Sequence, residues 1–124
     1  MRLFTTLIFL VTTFFLNAQQ TINASITHDG LQRDYILYVP DSYDTNNPAP
    51  LVFNFHGYSS NAGQQIFYGD FRPISDTEGF ILVHPEGLED SMGNPHFNAQ
   101  WGTGVDDIGS VSYTHLTLPT ICSV

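Results

Sequence analysis

A nearly continuous apolar run, Leu51-Val52-Phe53-Asn54-Phe55, ends in the polar, glycine-containing stretch His56-Gly57-Tyr58-Ser59-Ser60. The chemistry open to such a junction is electrostatic. A backbone N–H held at a strand end can face a carbonyl oxygen and stabilise it as it becomes negative in acyl transfer. Gly57 lets the main chain come close to a substrate, Tyr58 would donate its backbone N–H, and His56 would shape the loop rather than act as a base. Alone, the His-Gly pair is weak evidence, because a histidine ending a strand more often serves structure, satisfied by a backbone carbonyl.

Other residues of suitable type weigh less. Asp106 and Asp107 could ligate a metal or form a carboxylate pair, yet neighbours on a helix point in different directions. A helix start explains them more simply, with a capping acid and a second carboxylate near the positive end of the dipole. His84, Glu86 and His96 lack a recognised zinc spacing, so neither metal nor cofactor is expected. Trp101, beside Gly102 and Gly104, suits stacking on a sugar or aromatic acyl group and equally suits anchoring a long loop. No G-x-S-x-G occurs anywhere in the chain. His28, His84 and His96 therefore have no positioned nucleophile to activate.

The elements that would hold these residues follow from periodicity. Thr21 to His28 alternates Ile22, Ala24 and Ile26 with polar residues, a half-buried strand. Asp29-Gly30 suits a tight hairpin turn. Leu31 to Val39 alternates again, with Leu31, Arg33, Tyr35, Leu37 and Val39 on one face. Asp41 to Pro50 is a loop by its Asn-Pro and proline content. Leu51 to Phe55 lacks alternation, as expected of a central strand covered on both faces. Gln64 to Phe71 predicts a short helix, and Pro73 to Glu78 a helical turn or two capped by Gly79. Phe80 to Val83 predicts a second buried strand, closed by His84-Pro85, and Glu86 to Gly104 a loop anchored by Phe97 and Trp101. This order points to an α/β fold with helices packed on a sheet.

Composition bounds the setting. Met1-Arg2, the apolar run Leu3 to Leu16 and Ala18 have the three-part layout of a secretory signal peptide, cleaved near Ala18. The run is too short for a span of about 20 apolar residues. The mature chain would keep two basic residues, Arg33 and Arg72, against 12 acids. That balance argues against nucleic acid, whose phosphates need Lys and Arg, and against docking on anionic membrane. Neutral substrates remain compatible, and oligomeric state is not legible. The single cysteine, Cys122, excludes an internal disulfide.

The end of the chain breaks the pattern. Ser110 to Val124 carries no acid, lysine or arginine, and Pro119 opposes a helix. A helix begun at Asp106 is therefore expected to stop after about one turn, too short to stand alone. Val111 to Thr120 resembles the translation of a transposon-end sequencing adapter, matching the codons GTC TCT TAT ACA CAT CTG ACG CTG CCG ACG in order. Residues 110–124 are read as an artefactual tail, in which His115 and Cys122 carry no chemistry. The competing reading is a short strand from Val111 to Leu118.

Residues 30–109 resemble the secreted esterases grouped with polyhydroxybutyrate depolymerases, acetylxylan esterases and feruloyl esterases. The phrases that carry the likeness are Arg33-Asp34-Tyr35-Ile36-Leu37-Tyr38-Val39-Pro40 and Pro50-Leu51-Val52-Phe53-Asn54-Phe55-His56-Gly57. They continue with Gly79-Phe80-Ile81-Leu82-Val83-His84-Pro85-Glu86-Gly87, Trp101 and Val105-Asp106-Asp107-Ile108-Gly109. The resemblance implies an incomplete α/β-hydrolase fold: an N-terminal antiparallel hairpin plus the first buried central strands and helices. The domain plan is a signal peptide at 1–18, the front of an esterase domain at 19–109 and the tail. It also implies an oxyanion loop at His56, Gly57 and Tyr58, substrate contact at Trp101 and a polymer or small ester as substrate. In that family a large apolar residue follows Asp106-Asp107-Ile108-Gly109, where Ser110 stands here, and the serine, acid and base lie downstream. The chain as written is then expected to be inactive. The competing function is a non-catalytic glycan-binding module using Trp101, Tyr58 and Phe97.

Overall fold

The computed structural model describes residues 19–98 and 104–121, with side chains to His115. The expected signal peptide, Trp101 and Cys122 lie outside the described residues. Strands β1 (Gln20–His28) and β2 (Leu31–Val39) form the expected hairpin, in register from Gln20–Val39 to His28–Leu31. Asp29 (φ 52°) and Gly30 (φ 75°) both take positive φ at its turn. That geometry matches the twist of the flanking strands, and Asp and Gly tolerate it.

Strand β3 (Leu51–Phe53) is followed by α1 (Ala62–Tyr68), α2 (Arg72–Glu78) and β4 (Ile81–Pro85). The sheet order is β1-β2-β4-β3, with β4 antiparallel to β2 and parallel to β3. A mixed sheet with helices between its parallel strands is an α/β arrangement. β4 is buried from Ile81 to His84, as its unbroken apolar run predicts. Gly79 caps α2 in the left-handed region at φ 71°. Tyr38 ties β2 to α2 by donating to Asp76 Oδ1 at 2.7 Å. Burial, then that bond, pushes its phenol up to about 12.

Three expectations are corrected. β3 ends at Phe53 and is half-buried, at one edge of the described sheet. Asn54 still donates its N–H to Val83 O at 2.9 Å, whereas Phe55 is 42 % exposed. With a ladder on one side only, apolar composition does not ensure cover. The stretch after Glu86 is not all loop: β5 (Leu88–Glu89) and β6 (Pro95–His96) form a small antiparallel hairpin. Asp90 organises its turn, accepting from Met92 N–H and Asn94 N–H at 2.8 and 2.9 Å.

The helix after Asp106 does not stop. α3 runs Asp107–Ile121, through Pro119, and the strand reading of Val111 to Leu118 fails with it. Asp106 Oδ1 accepts the Gly109 N–H at 2.8 Å, the cap that starts it. A proline in the last turn deletes one intrahelical bond without ending the helix. The buried face of α3 is polar: Asp107, Ser110 and Thr114 are all nearly inaccessible. Thr114 satisfies its hydroxyl by donating to Ser110 O at 2.8 Å. No helix of the described residues is long and apolar enough to cross a membrane.

Candidate functional site

Because β3 and β4 run parallel, their C-terminal ends lie side by side, and the expected oxyanion loop starts at the end of β3. His56 follows β3 and is only 4 % exposed. Its Nδ1 lies 2.8 Å from Gly57 O, and its Nε2 accepts the Gly87 N–H at 2.9 Å. Together these set the neutral tautomer with hydrogen on Nδ1. Glu86 Oε1 stands 3.0 Å from Nε2. Phe97 closes the remaining side, its ring 4.8 Å from the imidazole and 5.0 Å edge-on to Phe55. His56 is thus a structural hub for its own loop.

The loop is also tied outward. Tyr58, 60 % exposed, donates its hydroxyl to Asp90 Oδ2 at 2.7 Å. Ser59 sits at φ 60°, unusual for a residue with a side chain. It is held there by its N–H to Pro95 O at 2.9 Å and its Oγ to Asn94 Oδ1 at 3.0 Å. The hydrogen bond to Asp90 raises the Tyr58 phenol pKa. The same bond, with two backbone donors, holds Asp90 down at about 2. Among the described residues no acceptor takes the Tyr58 backbone N–H. Gly57 faces open space: a Cβ built there meets nothing within 4 Å. Beside this loop lies an apolar hollow of about 380 Å³ lined by Phe55, Phe97, Ile108 and Val111.

The other candidates separate. Asp106 caps α3, while Asp107 turns inward to pair with Arg33 and to accept the Asn98 N–H. The two carboxylates therefore serve different partners. His84 is buried beneath the sheet surface, and desolvation lowers its pKa. It does not gather with Glu86 and His96 into a ligand set among the described residues. One His/carboxylate group does form, His28 with Asp29 and Asp106. It is a surface contact added to the α3 cap, with His28 Nε2 3.7 and 3.4 Å from the two carboxylates. Of the aromatics considered for glycan stacking that lie among the described residues, Phe97 is turned onto His56 and Phe55 and Tyr58 is exposed.

Sequence reasoning missed three supports. Arg33 sits on the core face of β2, and a buried guanidinium requires a carboxylate. The need was legible there, but its partner Asp107, far along the chain, was not. Asn54 interrupts an apolar run for a reason: its amide donates to Gly69 O at 3.0 Å and accepts from Gln65 Nε2 at 2.9 Å, tying β3 to α1. Glu86 gave no local signal.

No protein-family model matches the chain. It is 34 % identical over 93 residues to feruloyl esterase B of Thermothelomyces thermophilus, covering 66 % of this chain and 28 % of that protein. It is 30 % identical over 86 residues to feruloyl esterase D of Neurospora crassa, covering 60 % and 29 %. With the bifunctional acetylxylan esterase/xylanase XynS20E of Neocallimastix patriciarum it shares 31 % over 68 residues, 55 % of this chain and 10 % of that one. The chain spans less than a third of the length of these curated relatives, and the likeness supports an esterase-like family.

Proposed function

We propose that this chain is the front of a secreted serine esterase. Residues 1–18 are its signal peptide, and Gly57-Tyr58 is the loop that supplies one oxyanion donor. The parent hydrolyses carboxylic esters, of polyhydroxyalkanoate or of acetyl or feruloyl groups on plant polysaccharide. A serine attacks the ester carbonyl, and the carbonyl oxygen becomes negative in the tetrahedral intermediate. The Tyr58 N–H faces that oxygen, and the apolar hollow beside Phe55 and Phe97 takes the apolar part of the substrate. A further strand carrying the nucleophile pairs with the edge of β3. The chain as written has no nucleophile elbow and is inactive.

The observation that carries this reading is the cradle around His56. A buried imidazole, two loop ties and a strained Ser59 all hold a main-chain segment whose N–H has no acceptor among the described residues. Strain maintained by surrounding structure is characteristic of functional loops. The likeness to feruloyl and acetylxylan esterases supports the reaction class. The buried polar face of α3 supports the tail being foreign, since a helix packed on a sheet ordinarily buries an apolar stripe.

The test is to sequence the source DNA across the codons for Asp106 to Val124 and onward, then assay the encoded parent on methyl ferulate and acetylated xylan. The expected result is a frame that departs at Ser110, reaches a G-x-S-x-G and encodes an active esterase. A frame that ends after Val124 in the source DNA, or a parent without ester hydrolysis, overturns the proposal.

A further inference from the structure

Tyr58 and Ser59 are the central residues of a four-residue turn, closed by the Ser60 N–H on Gly57 O at 3.2 Å. Ser59 takes the third position of that turn at φ 60°. A positive φ there suits glycine or asparagine, and a residue with a Cβ adopts it against steric resistance. The β5–β6 hairpin supplies two hydrogen bonds to this one residue. Pro95 O accepts the Ser59 N–H at 2.9 Å, and Asn94 Oδ1 accepts the Ser59 hydroxyl at 3.0 Å. Asn94 is itself fixed within the hairpin. Asp90 Oδ1 accepts its N–H at 2.9 Å, and its carbonyl accepts the Asp90 N–H at 3.0 Å.

We infer that Asn94 is a positioning residue of the oxyanion loop: its side-chain oxygen holds Ser59 in the left-handed region and thereby sets the turn that carries the Gly57-Tyr58 main chain. This rests on reading Gly57-Tyr58 as that loop. The middle peptide of a four-residue turn has two common orientations, separated by the sign of φ at the third position. Here that peptide carries the Ser59 N–H, which the observed orientation directs onto Pro95 O. The Tyr58–Asp90 bond cannot make this choice. It ends on an exposed phenol at the far end of a long side chain, and leaves the backbone dihedrals of the turn free. The Ser59 hydroxyl sits one carbon from Cα, so fixing it restrains the dihedrals directly. Glycine would take the same φ unaided. The tie to Asn94 is needed because position 59 carries a side chain.

The experiment is amide hydrogen exchange on the full chain, residue by residue, in Asn94→Ala, Ser59→Ala and Ser59→Gly variants. The readouts are the amides at positions 59 and 60, which bond to Pro95 O and Gly57 O. N94A and S59A each remove the hydroxyl tie and keep a Cβ at position 59. In both, these two amides should exchange at least about tenfold faster, corrected for neighbouring side chains, while the β1–β2 amides stay as they are. S59G loses the same tie but takes positive φ without steric cost, so both amides should stay within about threefold of native. Equal acceleration in S59A and S59G would mean that the tie only attaches the hairpin, and overturns the proposal. Native exchange at both positions in N94A overturns it too. If N94A does not fold, S59A, altered only at an exposed residue, carries the test against S59G. No hydrolysis is read here. A failure leaves the esterase reading standing, and an inactive parent leaves this result standing.

Discussion

Gly57 and Gly87 are glycine for opposite reasons. At Gly57 nothing lies within 4 Å of the missing Cβ, so the space there is open. At Gly87 the missing Cβ would meet the His96 backbone, at 2.5 Å from its O and 2.8 Å from its C and N. A main chain bonded into a hairpin cannot yield as a flexible side chain does. Gly87→Ala should therefore cost about 1–3 kcal/mol, as overpacking typically does. Gly57→Ala should stay within about 0.5 kcal/mol in the same denaturant titration. Equal effects at the two positions would contradict this reading. At this scale the sequence made the types of residue legible but not their partners. His56-Gly57 was readable as a loop with a structural histidine, and Arg33 as a charge on a core face. Glu86 and Asp107 owe their roles to contacts across the fold, which periodicity cannot carry.

Among the elements, the β1–β2 hairpin, both short helices and β4 follow from patterns their own residues contain. Alternation, a glycine cap and an unbroken apolar run are local signals. β3 was expected to reach Phe55, because the sequence of a strand does not say whether both its neighbours are present. The β5–β6 hairpin was expected to be loop, since its two-residue strands are organised by Asp90 rather than by any period. That aspartate also sets a pH dependence. Its folded pKa, about 2, lies below the ordinary carboxylate value near 3.9. A depressed carboxylate contributes stability that is fully present above the unfolded value and lost as pH falls through the folded one. The tie between the Tyr58 loop and the hairpin should therefore hold at neutral pH and release as pH falls from about 4 to about 2. The Tyr58 ring resonances should report the release in that window, and Asp90→Asn should abolish it. A transition of Tyr58 near neutral pH would contradict the assignment.

Over the whole molecule, three long-range ties join what the sequence separates. Arg33 with Asp107 fixes α3 to β2, Asn54 fixes β3 to α1, and the Gly87 N–H on His56 fixes the end of β4 to the loop after β3. They converge where the two parallel strands end, and together they hold a main-chain turn that is buried behind and open in front. α3 is the discordant part. It completes a helix where the sequence predicted a break, yet it presents serine, threonine and an ion pair to the sheet.

The central claim is that the Tyr58 backbone N–H stabilises an ester oxyanion in the parent enzyme. The direct measurement compares kcat for Tyr58→Pro and Tyr58→Phe in that parent on methyl ferulate, with folding checked by circular dichroism. Proline deletes the N–H, while phenylalanine keeps it and loses only the hydroxyl bond to Asp90. The account predicts a loss on the order of 10²–10³ in kcat for proline and near-native turnover for phenylalanine. Undiminished kcat in a folded proline variant would contradict it.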